Sequence, residues 1–235
     1  MDVLLIPGFW LDATSWDGVT PPLVEAGHAV LPLTLPGLEP LDSDRARIGF
    51  ADHVAAVVAA IDSRRAPVAL VGHSGGGTIA GAAVDARPDR VAHIIYVESG
   101  PLNNGASINS ALPVESGEIP LPDWSAFDES ELAGLDDELR AAFRSRAVPE
   151  PARVATDPIH LTDDRRLDVP ATVISSTMPK ALLEDLMEKG HPYTAELARV
   201  RRRTVVELPT GHWPQFSRPR DLGEAIVAAL AHPPR

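Results

Sequence analysis

A serine set among glycines, Gly72-His73-Ser74-Gly75-Gly76, follows the apolar run Pro67-Val68-Ala69-Leu70-Val71 and precedes a helical pattern of small residues. This G-x-S-x-G spacing suits a nucleophile elbow, in which a sharp strand-to-helix turn presents a reactive hydroxyl at the end of a strand. The turn strains the serine backbone, so only very small side chains fit two positions to either side. Gly72 and Gly76 stand there. The backbone N–H of Gly75, beside the helix start, can point at an oxyanion. A glycine-rich turn capped by Ser74 is the plain alternative, and the strand and helix on either side argue against it. A phosphate loop fits poorly, because the lysine of G-x-x-x-x-G-K-[ST] is missing.

Serine is a weak nucleophile without a base within hydrogen-bond reach. Of eight histidines, His212 is best placed, since Thr210-Gly211-His212-Trp213 lies between the last apolar strand and the C-terminal helix. His73 sits inside the elbow but is expected to point away from the nucleophile's side, as a packing or hydrogen-bonding group. His28, His53, His93 and His232 read as surface or packing residues near element ends, while His160 and His191 lie in loops. No H-E-x-x-H or other ligand spacing points to a metal.

The histidine needs a carboxylate on its second nitrogen, to hold the tautomer and stabilise imidazolium. After the strand Ala171 to Ser175 the chain reads Ser175-Ser176-Thr177-Met178-Pro179, with no carboxylate before Glu184. The preceding strand, however, runs His93-Ile94-Ile95-Tyr96-Val97 straight into Glu98. Glu98 is therefore the expected acid, with Asp163, Asp164 and Asp168 as alternatives and a solvated strand end as the plain reading. A second oxyanion donor is expected from Pro7-Gly8-Phe9-Trp10 after the first strand, namely the Phe9 N–H.

These groups need a sheet whose strand ends share one edge. Short apolar runs at 3–6, 29–33, 68–71, 93–97, 171–175 and 204–208 supply about six strands, most of them continuously apolar as parallel strands covered on both faces are. Helical spacing recurs at 16–26, 48–61, 78–87 and 222–230, with Val54, Val57, Val58 and Ile61 on one stripe. Alternating strand and helix make a mostly parallel α/β sheet with helices on both faces. Residues 100–168 break that rhythm: they are rich in Pro, Ser, Asp and Glu, show no convincing strand, and carry one helical pattern over 129–146. They are expected to form a small helical cap between core segments 1–99 and 169–235. Its stripe of Leu132, Leu135, Leu139 and Phe143 needs a surface to cover. Further helices are expected at 182–188 and 193–200.

The chain of 235 residues is 44% apolar, enough to bury the core of a single α/β domain. A net charge of -12 argues against nucleic acid as partner. With no cysteine, thiol catalysis and disulfides are excluded. Met1-Asp2-Val3-Leu4-Leu5-Ile6 reads as a core strand and not as a signal peptide, and no apolar run approaches the ~18 residues of a membrane span. The cytoplasm is the default expectation. Low aromatic content gives no support to a large stacked cofactor. Oligomeric state leaves no mark in the sequence.

Together the motifs resemble those of the α/β-hydrolase superfamily, in its compact esterase, lactonase and hydroxynitrile-lyase-like branch, over nearly the whole chain. Pro7-Gly8-Phe9 is similar to the family's His-Gly-x oxyanion motif, with proline in place of histidine. Trp16 resembles a tryptophan often found after that glycine, and Leu35-Pro36-Gly37 resembles an Asp-Leu-Pro-Gly loop with Thr34 where the acid usually stands. Gly211-His212 resembles the terminal Gly-His motif. Tyr96-Val97-Glu98 is similar to haloalkane dehalogenases that carry their acid after the earlier strand, but Ser74 argues against their aspartate-based chemistry and against epoxide hydrolysis. The resemblance implies a serine-dependent hydrolase of a small carboxylic ester or lactone, acting through an acyl-enzyme. A lyase or acyltransferase would use the same triad, and a non-catalytic small-molecule-binding protein could retain it. Substrate choice is expected to depend on Trp10, Trp124, Phe127, Met178, Tyr193 and Trp213 around Ser74.

Overall fold

The computed structural model describes residues 1–39 and 44–234. Strand β1 (Asp2–Ile6) leads through a 3-10 turn to α1 (Thr20–Glu25) and β2 (Ala29–Pro32), followed by α2 (Phe50–Asp62), β3 (Val68–His73), α3 (Gly75–Ala86) and β4 (Val91–Val97). The chain then forms β5 (Glu118–Ile119), α4 (Asp137–Arg146), β6 (Glu150–Pro151) and α5 (Ala152–Thr156). It returns as β7 (Ala171–Ser175), α6 (Lys180–Glu188), α7 (Ala195–Arg199), β8 (Arg203–Glu207), α8 (Pro214–Ser217) and α9 (Pro219–Ala231).

The main sheet has the order β2-β1-β3-β4-β7-β8, and every neighbouring pair is parallel. Continuous apolar strands are explained by its two covered faces. Leu4, Ile6, Leu70, Ile94 and Tyr96 join the core with Val57 and Ile61 of α2 and Ile79 of α3. The intervening Val3, Leu5, Val71, Ile95 and Val97 pack instead with Leu23 of α1 and with Leu222 and Ile226 of α9. The four inner strands thus bury both of their period-2 sets, while β2 and β8 at the sheet edges stay partly exposed.

Strand order also fixes where a site can form. The chain leaves β1 towards β2 at one side of the sheet and leaves β3 towards β4 in the other direction. Loops diverge between the carboxyl ends of β1 and β3 and leave a crevice there. Pro7 to Trp10 follow one of these strands and Ser74 the other.

Helix ends differ from the sequence expectation where capping groups intervene. The helix expected over 129–146 begins only at Asp137, because the Asp136 carboxylate accepts the Leu139 N–H at 2.9 Å and Gly134 lies at φ 81°. Leu132 and Leu135 are buried nonetheless, as turn residues ahead of α4. The expected helix 16–26 is split, with Pro21 and Pro22 opening α1 after a separate 3-10 turn over Ala13–Trp16. Segment 100–168 also holds a ribbon where no strand was expected. Its strands β5 and β6 are antiparallel, pairing Glu118 with Pro151 and Ile119 with Glu150, and are too short to leave a sequence period.

Hydrogen bonds tie this segment to the loops that follow β1 and β8. Val148 N–H donates to Trp10 O at 3.1 Å, and the Trp10 indole donates to Ile119 O at 3.0 Å. Gly211 N–H donates to Ala133 O at 3.0 Å, and His212 N–H to Glu131 O at 2.7 Å. Among the described residues no helix is long and apolar enough to cross a membrane.

Candidate active site

Ser74 takes φ 49° and ψ -124°, a region rarely adopted by a residue with a side chain. Its neighbours explain how the turn persists. Ser74 N–H donates to Val97 O at 3.0 Å, while Ser74 O accepts from Gly77 N–H at 2.9 Å and from Ser99 Oγ at 2.6 Å. A Cβ on Gly72 would lie 2.5 Å from Gly77 Cα, and one on Gly76 would collide with the Pro7 and Ile6 carbonyl oxygens. Both glycines are required by close backbone approach.

The loop after β8 brings His212 Nε2 to 2.9 Å from Ser74 Oγ. With the hydroxyl donating to Nε2, the ring proton lies on Nδ1 and faces Glu98, whose Oε2 is 3.6 Å away. Glu98 ends β4 at φ 48° and is anchored from the end of β7. Its carboxylate accepts N–H groups from Ser176 and from Thr177, the latter at 3.1 Å, and the Thr177 hydroxyl at 2.6 Å. Burial pushes this carboxyl up, but His212, Thr177 and the Ser176 amide together hold it below the ordinary glutamate value. The strand that lacks an acid therefore supplies donors to the acid of its neighbour.

His73 takes the supporting role expected from its place in the elbow. Its Nε2 donates to the His212 carbonyl at 2.7 Å, and Gln215 Nε2 lies 3.2 Å from its Nδ1. Burial, with a smaller contribution from His212, lowers His73 to about 3, so the ring is neutral and Nδ1 is free to accept.

No side chain caps α3. The N–H of Gly75, at its first position, and the N–H of Phe9 meet no acceptor among the described residues. Both residues line the cleft that holds Ser74 and His212, a cavity of about 390 Å³. The Phe9 ring covers Gly75, where a Cβ would come 2.6 Å from Phe9 Cε1. Trp10, Phe127, Met178, Tyr193 and Trp213 line the same cleft. Glu98 and Glu131 are the acidic residues that line it, and among the described residues no lysine or arginine does.

The model of the alpha/beta hydrolase family matches residues 3–225. The chain belongs to that family. Comparison with curated protein sequences finds no match. Among solved structures, this alpha/beta hydrolase is similar to an extracellular alpha/beta-hydrolase from a Paenibacillus species, described as sharing structural and functional homology with tobacco salicylic acid binding protein 2. The identity is 22%, the coverage 97% of this chain and 98% of that one, and the TM-score 0.78. A pyrethroid hydrolase from Sphingobium faniae is 22% identical over 99% of this chain and 98% of its own, with TM-score 0.71. A methylesterase from Arabidopsis is 17% identical over 98% of this chain and 99% of its own, with TM-score 0.75. At such identities the likeness is one of fold.

In this alpha/beta hydrolase Ser74, His212, Glu98, Phe9 and Gly75 line one cleft at the carboxyl ends of the strands. Asp163, Asp164 and Asp168 do not compete for the acid position, since they bind Arg165, Arg166 and Arg201. Trp124 is the exception among the pocket residues. It does not line the cleft, because Phe127 and Trp213 stand between, with ring centroids 5.8 and 6.1 Å from its own. Sequence reasoning missed Ser99, Thr177 and Glu131, which act through short polar contacts that carry no spacing signal. It also missed Glu150, whose flanking Pro149 and Pro151 mark a rigid position but not a buried one.

Proposed function

We propose that this alpha/beta hydrolase is a serine-dependent hydrolase of a small carboxylic ester or lactone, working through an acyl-enzyme. The observation that carries the reading is the 2.9 Å contact between His212 Nε2 and Ser74 Oγ, with Glu98 behind the imidazole and two unpaired N–H groups beside the hydroxyl. His212 takes the Ser74 proton as Oγ bonds to the acyl carbon, and the carbonyl oxygen becomes an oxyanion that accepts from Phe9 and Gly75 N–H. Glu98 offsets the charge on the imidazolium. The C–O bond to the leaving group breaks as His212 returns its proton to the departing oxygen. Water then loses a proton to His212 as it bonds to the acyl carbon, and the acyl C–Oγ bond breaks as His212 returns that proton to Ser74 Oγ, releasing the acid.

Residues 100–168 serve in this reading as the cap, through their hydrogen bonds to the Trp10 and His212 loops. The charge of the cleft supports a neutral substrate. A free carboxylate or phosphate would meet Glu98 and Glu131 with no cation in the wall.

The test is intact-mass analysis after exposure to a serine-directed fluorophosphonate, followed by turnover of a panel of esters and lactones. The wild type is expected to gain one adduct and S74A none, with turnover lost in S74A. Normal labelling and turnover by S74A would sink the mechanism. Release of product only when an acceptor alcohol is added would replace hydrolysis with acyl transfer.

A further inference from the structure

Under the loop that follows β1 lies a second pair of ionisable side chains, outside the Ser74 cleft. His53 of α2 is 0% exposed and Glu150 of β6 is 1% exposed. His53 Nε2–H donates to Pro36 O at 2.8 Å, which leaves Nδ1 of a neutral ring as a lone-pair acceptor. That nitrogen and Glu150 Oε1 face each other across 3.9 Å, and neither has a hydrogen-bond partner among the described residues. The other carboxyl oxygen, Oε2, accepts the Trp10 N–H at 3.4 Å.

An ionised Glu150 would set an anionic oxygen against the lone pair of His53 in a dry interior. A protonated carboxyl removes that repulsion, because its O–H can face the His53 Nδ1 lone pair across the 3.9 Å gap while its carbonyl oxygen accepts from Trp10. Burial acts in the same direction, raising Glu150 to about 8 and lowering His53 to about 4.

Trp10 needs such an anchor. It lies at φ 65°, a conformation that costs a bulky residue roughly 1–3 kcal/mol. The β5–β6 ribbon and Val148 just ahead of β6 hold it on three sides. Ile119 O takes the indole N–H, Val148 N–H donates to Trp10 O, and Glu150, the sheet partner of Ile119, takes the Trp10 N–H. Fixing that N–H sets the plane of the Phe9–Trp10 peptide, next along the chain to the Phe9 N–H that lines the cleft.

We propose that Glu150, as an uncharged carboxyl backed by His53, is a positioning residue that locks the Phe9–Trp10 peptide and so keeps the Phe9 N–H aimed at the developing oxyanion. The proposal rests on the reading of Phe9 as an oxyanion donor. Glu150 touches no substrate atom and acts through Trp10.

The experiment compares wild type, E150L, E150Q and H53F by kcat and KM on a turned-over ester, and by affinity for a trifluoromethyl ketone that mimics the tetrahedral state. The amide introduced by E150Q is uncharged and can still accept from Trp10 and donate to His53, so this variant keeps kcat within about threefold of wild type. E150L, folded by circular dichroism, loses kcat at least about tenfold with KM nearly unchanged, and its ketone affinity falls in step with kcat/KM. H53F, which removes the acceptor for the Glu150 proton, loses kcat about fivefold or more and decides the matter should E150L not fold. Wild-type kcat in folded E150L or H53F overturns the proposal, as does an equal loss in E150Q and E150L. Failure of the wild type to label with a fluorophosphonate is a separate result, which overturns the serine mechanism itself.

Discussion

His73 donates a 2.7 Å hydrogen bond from Nε2 to the backbone carbonyl of His212, so the residue before Ser74 holds the loop that carries His212. Two segments separated by most of the chain are thereby set to a common register. In H73F the donor is lost and the Gln215 amide, 3.2 Å from Nδ1, loses its partner. We expect kcat to fall about tenfold, near 1.4 kcal/mol of barrier, with little change in KM. Steady-state kinetics on one ester checks this, and an unchanged kcat would show that the His212 loop holds its place unaided.

Glu98 is anchored by Ser176 and Thr177 whether or not it bears charge, so E98Q keeps the turn. The amide offers no charge to the imidazolium and can present its NH2 to the Nδ1 proton. We expect kcat to drop at least about 100-fold, the order seen when a triad acid is neutralised, while fluorophosphonate labelling slows in proportion. Retention of full kcat in E98Q would refute the role given to Glu98.

The cleft wall separates two neighbouring aromatic residues. Phe127 lines the cleft and Trp124 stands behind it, edge-to-face with Phe143 and under the Arg144 guanidinium at 5.0 Å. Phe127→Ala is expected to raise KM for larger acyl groups several-fold, about 1 kcal/mol of lost contact. Trp124→Ala is expected to lower Tm while leaving KM within about twofold. A larger KM change in Trp124→Ala than in Phe127→Ala would contradict the assignment.

Buried neutral groups set the pH dependence of stability. Burial lowers His73 to about 3, and His53 and His93 to about 4. Unfolded, each binds a proton near its ordinary 6.5, so between these values the unfolded state holds more protons and stability falls as pH drops. Glu150 runs the other way. Its folded value of about 8 lies above the ordinary 4.5, so the folded state holds the extra proton and stability falls as pH rises across that window. Three histidines outweigh one carboxyl below pH 6.5, and above it Glu150 acts alone. Thermal melts should therefore peak at about pH 6 to 7, and E150Q should flatten the alkaline side. A wild-type Tm that stays level from about pH 6.5 down to 4.5 would contradict the neutral buried histidines.

Legibility from sequence followed the length of the pattern. All six strands of the sheet were readable, because the inner four bury both faces and leave unbroken apolar runs such as Val68 to Val71, and the partly exposed edge strands keep short apolar runs of their own. Ser74 and His212 were readable because glycine neighbours and strand ends fix them locally. Glu98 emerged by elimination, since the position after β7 holds Ser176 and Thr177. What stayed hidden depends on contacts across the fold. The two-residue ribbon has no period, the start of α4 is set by one Asp136 cap, and Glu150 is buried only because β6 pairs with β5 beneath Trp10. Trp124 and Phe127 lie three residues apart, and sequence offers no sign of which one faces Ser74.

In the proposed reaction Ser74 carries the acyl group during turnover. Acid quench within milliseconds of mixing with 4-nitrophenyl acetate, then digestion and mass spectrometry of the Ser74 peptide, tests it directly. An acetylated Ser74 is expected, accompanied by a nitrophenol burst matching the enzyme concentration and absent in S74A. Turnover at full rate with an unmodified Ser74 peptide and no burst would contradict it.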